Sequence, residues 1–120
     1  MALLPNLPAP VAAYVAATNA FDIEAFMATF ADGALVNDHR NEFPGLTAIR
    51  AWAQREIIGD RVTMQPVEAT IRGTSAAVTA SIDGNFDKTG LPSPLLLTFY
   101  FTIDSGHNVQ LVIVHNKPAT

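Results

Sequence analysis

Apolar positions recur along this chain in two periods, and the change between them separates a helical first half from a stranded second half. From Pro10 the pattern is helical: Val11, Tyr14, Val15 and Thr18 fall at i, i+3, i+4 and i+7, and Pro10 suits a first helical turn. Tyr14 is thereby placed on a buried stripe. Asp22 can cap a second short helix in which Ile23, Phe26, Met27 and Phe30 repeat the spacing, with Gly33 as its stop. A short strand, "ALVND", follows. "FPG" then turns the chain into a third helix with Ile49, Trp52, Ala53, Glu56 and Ile57 on one face, ended by "IIGD".

The rest reads as four strands, over about 61 to 72, 75 to 86, 94 to 104 and 108 to 116, separated by turn signals at "RGTS", "DKTGLPSP" and "DSGHN". Hairpin-length connections predict a largely antiparallel sheet. In "PLLLTFYFTID" both faces are largely apolar, with Leu95, Leu97, Phe99, Phe101 and Ile103 on one and Leu96, Thr98 and Tyr100 on the other. The last strand sets Val109, Leu111, Ile113 and His115 against Gln110, Val112 and Val114. The expected architecture is α+β: three N-terminal helices packed on a curved, mostly antiparallel sheet that encloses an apolar pocket in a cone-shaped fold. The outer sheet face is expected to pair with a second copy as a homodimer.

Composition narrows the function classes. With 120 residues, the chain is expected to form one domain over 1–120. It is 49% hydrophobic and 15% charged, with a net charge of −4 and no clustering of Lys or Arg, which argues against nucleic acid or anionic lipid as a partner. No cysteine is present, so thiolate chemistry and disulfides are excluded, as suits a reducing cytosol. "MALLPNLPAP" lacks a positive n-region, and no apolar run approaches 18 residues. A soluble cytoplasmic protein without a membrane partner is expected. Phosphate loops, His-x-x-x-His pairs and nucleophile elbows are all missing.

The stretch "YVAATNAFDIEAFMATFADGALVND" and the later "GLTAIRAWA" resemble the SnoaL-like polyketide cyclase and ketosteroid isomerase branch of the NTF2-like superfamily. The resemblance rests on a tyrosine in the first helix, "N-x-x-D" opening the second, "FADxAxVxD" running into the first strand and "G-x-x-A-I-R" opening the third helix. It is specific over residues 8 to 55 and general in strand order beyond. It implies a dimeric α+β cone in which Asp38 is a general base moving a proton beside a carbonyl, and Tyr14 donates to the enolate oxygen. The isomerases carry a second, protonated acid on the strand before "F-x-F"; here that position is Leu97. Losing one such donor typically costs about 10²- to 10³-fold in rate.

Each candidate has a plainer reading beside it. Asp38 can be a turn aspartate and Tyr14 a core aromatic. His39 and Arg40 can hold a ligand's oxygen or carboxylate, or sit exposed in a turn. If the strand continues, Val36, Asp38 and Arg40 share a face opposite Asn37 and His39. His115 on the inward face suits an acid or base, or a sheet end. Glu56 suits an ion pair with Arg40 or Arg61. Trp52, Phe86, Phe99 and Phe101 are core positions that in a cone also serve as pocket walls, with Leu97 beside them. Asn41 and Glu42 read as a solvated link.

Two functions follow. The first is a small-molecule enzyme performing acid–base isomerisation, cyclisation or dehydration of an apolar carbonyl compound, with no metal or organic cofactor. A related version has Asp38, with Arg40 or Asn37, activating water on an epoxide. The second is a noncatalytic ligand-binding or dimerisation module.

Overall fold

The computed structural model describes residues 6–115. Three helices, α1 (Ala9–Ala20), α2 (Ile23–Met27) and α3 (Gly45–Trp52), combine with six strands: β1 (Phe30–Asp38), β2 (Asn41–Pro44), β3 (Thr63–Arg72), β4 (Ser75–Asp83), β5 (Leu95–Asp104) and β6 (His107–His115). They form one sheet in the order β2-β1-β6-β5-β4-β3. All neighbours are antiparallel except β1 and β6.

Local chemistry explains the N-terminal layer. Pro10 lies in the first turn of α1, and Val11, Tyr14, Ala17 and Thr18 form its buried stripe. Asp22 accepts from the Ala25 backbone N–H at 3.1 Å and so caps α2. Asn19 clamps the end of α1 to the outermost strand: it donates to the Met64 carbonyl at 2.9 Å and accepts from the Met64 N–H at 2.7 Å. These two contacts account for the "N-x-x-D" spacing. Asn19→Ala should lower stability by about 1–3 kcal/mol, because both Met64 backbone groups lose their partner; a urea titration measures it.

The core is aromatic. Tyr14 packs against Phe26, Phe30, Phe99 and Phe101, at ring-centroid distances of 4.9, 6.1, 6.1 and 5.2 Å. Phe26 continues to Trp52 at 6.0 Å, and Trp52 to Phe43 at 5.7 Å.

Several elements differ from the periodic pattern. Helix α2 stops at Met27, because the Thr29 N–H and hydroxyl both turn back onto the Phe26 carbonyl. Phe30 therefore opens β1 beside Asn108 of β6, and Gly33 lies within an irregular stretch of that strand rather than ending a helix. Asn41 and Glu42 are not a solvated link but the edge strand β2, paired with Asp38 and Asn37. The third helix loosens after Trp52 into a π-helical turn over Ala53–Ile58. Gly59 ends it: a Cβ there would lie 2.6 Å from the Arg55 carbonyl oxygen. In β6 a register shift opposite Thr102/Ile103 displaces Val109, and Asn108 takes the inward position instead, its side chain donating to the Pro10 carbonyl at 3.2 Å. Strand β4 ends at Asp83, so Phe86 belongs to the following loop. The last strand is described to His115; the expected residue 116 lies outside the described residues. Among the described residues no helix is long and apolar enough to cross a membrane.

Candidate active site

The parallel pairing of β1 with β6 puts the C-terminal ends of both strands at one end of the sheet, with Asp38 beside Ile113. A cavity of about 220 Å³ opens there. Its walls are largely apolar, with Met64, Ile82, Phe86, Leu97, Phe99 and Ile113 among them. Its polar groups include Tyr14, Asp38, His39, Glu56, Asp60 and His115.

Asp38 is fixed by both oxygens. The indole N–H of Trp52, fully buried on α3, donates to Oδ2 at 3.0 Å. Oδ1 lies 2.6 Å from Nδ1 of His39. A carboxylate held from two sides keeps its orientation when a ligand enters, as proton transfer demands.

The tight turn explains why His39 reaches the cavity. Strand β1 ends at Asp38, and Asp38 faces Asn41 across a two-residue loop. His39 and Arg40 both have positive φ, 51° and 74°, the sign such a loop requires and one normally met by Asn-Gly. The Asn37 side chain accepts from the Arg40 N–H at 2.9 Å and holds the turn. The alternation of the strand therefore ends one residue earlier than a continuing strand would have it. His39 joins Asp38 on the cavity wall, while Arg40 is exposed at the loop tip and is not among the lining residues. Non-glycine residues in this conformation cost about 1–2 kcal/mol each, a strain found most often at functional sites.

Tyr14 lines the same cavity, and burial first, then the nearby Asp38 charge, pushes its hydroxyl well above the ordinary tyrosine range. It is a hydrogen-bond donor at any working pH. His115, exposed at the end of β6, stands at the cavity wall with its ring centroid 4.2 Å from that of His39. Loss of hydration, and secondarily the His39 charge, holds the His115 pKa below its ordinary value, against a smaller upward pull from Asp38.

Of the remaining candidates, Phe86, Leu97 and Phe99 line the cavity, whereas Trp52 and Phe101 stand behind it in the core. Trp52 acts on the site through Asp38 alone. Glu56 pairs with neither Arg40 nor Arg61 but with its neighbour Arg55, at 3.0 Å, while the Arg61 guanidinium lies 3.9 Å over the Phe21 ring. The π-helical turn carries Glu56 and Ile57 to the cavity, and Asp60 follows. Asp60 carries no periodic signal that would have singled it out. Among the described residues, no three His, Cys, Asp or Glu side chains gather as a metal site.

The SnoaL-like domain model matches residues 11–111 of the chain. A candidate polyketide cyclase from Sinorhizobium meliloti is 33% identical, with a TM-score of 0.81 over 90% of this chain and 95% of that one. An NTF2-like protein from Cytophaga hutchinsonii superposes with a TM-score of 0.73 at 10% identity, over 89% of this chain and 87% of the other. A protein with a ketosteroid isomerase-like fold from Catenulispora acidiphila, in complex with trimethylamine, gives 0.77 at 19% identity, over 92% and 88%. No match was found among curated proteins.

Proposed function

Since the chain belongs to the SnoaL-like domain family, whose NTF2-like fold serves many chemistries, we propose from the site itself an acid–base enzyme acting on an apolar carbonyl compound. Asp38 is the general base and Tyr14 the donor to the carbonyl oxygen. The observation that carries this reading is the Asp38 carboxylate, anchored by Trp52 and His39 on the wall of an apolar cavity that Tyr14 also lines.

In such a reaction Asp38 accepts a proton from the carbon beside the carbonyl, and the released electron pair moves onto the carbonyl oxygen. The enolate then has three outlets. Returning the proton to a different carbon is isomerisation; loss of a β-hydroxyl, which takes the proton held by Asp38 and leaves as water, is dehydration; and attack on a second carbonyl, whose oxygen takes that proton, is cyclisation. All three need a placed base and a placed donor, and neither a metal nor an organic cofactor. Turnover of a β,γ-unsaturated ketone tests the first outlet directly: a rate that Asp38→Asn leaves untouched contradicts the role given to Asp38.

The wall charges favour an uncharged substrate. Asp38, Glu56 and Asp60 face the cavity, and neither Lys nor Arg is among its lining residues. A carboxylate ligand would meet like charge in a partly desolvated space. Cyclohexyl methyl ketone should therefore bind at least about tenfold more tightly than cyclohexanecarboxylate at pH 7, a difference of about 1.4 kcal/mol that competition calorimetry resolves.

A second reading, a noncatalytic ligand-binding module, draws on Leu97, which lines the cavity without offering a donor. It predicts ketone binding without proton exchange. In either case we place the partner copy of a homodimer on the outer sheet face, where Tyr100 is 48% exposed and Thr79 bonds Thr98 across β4 and β5.

A further inference from the structure

We propose that His115 is a catalytic hydrogen-bond donor to the substrate oxygen, working opposite the Asp38–His39 pair. The proposal rests on the reading of the cavity as an acid–base site and adds a second donor beside Tyr14.

Stabilising charge on a carbonyl oxygen calls for N–H or O–H groups aimed into the cavity. The walls provide few. The Thr18 hydroxyl is occupied by the Tyr14 carbonyl at 2.8 Å. On β5, Leu97 has no polar atom. Its cross-strand partner in the register is His115, and residues directly opposite on antiparallel strands have Cβ atoms about 4.5–5.5 Å apart. His115 and Leu97 both line the cavity, so an imidazole N–H stands one strand over from an apolar position on the same wall.

Its neighbours suit it to donating rather than to ion pairing. His39 is tied through Nδ1 to Asp38, while its Nε2 is buried and, among the described residues, has no hydrogen-bond partner. The two rings lie 4.2 Å apart at an interplanar angle of 49°, which packs one imidazole against the other. Loss of hydration first, and the nearness of His39 second, hold the His115 pKa below its ordinary value, so the ring is neutral near pH 7. The titratable groups around the same cavity are Asp38 and His39 at the end of β1, Tyr14 on α1, Glu56 on the π-helical turn, and Asp60. A neutral imidazole there donates a hydrogen bond to a developing enolate without surrendering its proton, so the enolate stays available for any of the three outlets.

The test uses 2-naphthol, whose phenolic oxygen mimics an enolate oxygen, with binding followed by fluorescence and the imidazoles followed by long-range ¹H–¹⁵N spectra. In the wild type, the His115 N–H resonance should move downfield on saturation. His115→Leu should weaken binding about tenfold, and His115→Gln, which keeps an N–H, should recover most of that loss. Thermal melts of both variants separate binding from folding, and the Gln variant keeps the test valid if the Leu variant unfolds. Unchanged binding by His115→Leu together with weakened binding by Tyr14→Phe overturns the role of His115 and leaves the acid–base reading standing. Absence of naphthol binding to the wild type overturns both.

Discussion

Trp52→Ala should cost about 3–5 kcal/mol of stability, a large part of the 5–15 kcal/mol that holds a domain of this kind together. The indole is fully buried and bridges two aromatic neighbours, Phe26 on α2 at 6.0 Å and Phe43 on β2 at 5.7 Å. Truncation leaves a cavity where two helices and the edge strand meet. It also strips Asp38 of a 3.0 Å donor, leaving a partly buried carboxylate short of one hydrogen bond. Trp52→Phe separates the two effects, because it keeps most of the ring volume and deletes only the N–H. Urea midpoints should fall steeply for Ala and modestly for Phe, while the ketone reaction suffers in both.

Asp38→Asn should reduce kcat/KM for an apolar ketone by about 10²- to 10⁴-fold, the range a positioned general base contributes. The amide oxygen can still accept from Trp52, so the fold and the hairpin should survive. What disappears is a group able to take a proton at neutral pH. The contact with His39 changes as well: an amide cannot hold the imidazole as a carboxylate does at 2.6 Å. A loss in kcat at near-constant KM would assign the residue to the chemical step rather than to binding.

The sequence made the N-terminal layer and the strand meander legible because each rested on one local rule. The capping of α2 by Asp22 and the stripe of α1 follow from spacing, and β3 to β6 follow from alternation between clear turn signals. What escaped was decided by partners distant in the chain. Asn41 to Pro44, of which only Phe43 is a strand former, are a strand only because β1 presents an edge to them. Phe30 continues the helical spacing, yet pairing with Asn108 takes it into β1. Val109 and Asn108 exchange faces at a bulge that alternation cannot register.

The site divides the same way. Asp38 and Tyr14 line one cavity, and the inward face of β6 leads to His115. Periodicity put Arg40 rather than His39 beside Asp38, because it carried the strand through two residues that adopt positive φ. Spacing places Trp52 among the core and wall positions; its indole N–H reaching a carboxylate fourteen positions back depends on how α3 crosses β1, which no spacing reveals. Asp60 reaches the wall only after a π-helical turn, a break in periodicity that helical patterns do not anticipate.

The most direct measurement is deuterium incorporation beside the carbonyl of an apolar cyclic ketone incubated with the protein in D₂O and followed by NMR. It requires only the proton abstraction common to all three outlets, whatever the natural substrate. Incorporation well above the buffer rate with the wild type, falling to the buffer rate with Asp38→Asn, is the predicted result; equal incorporation by the two proteins would contradict it.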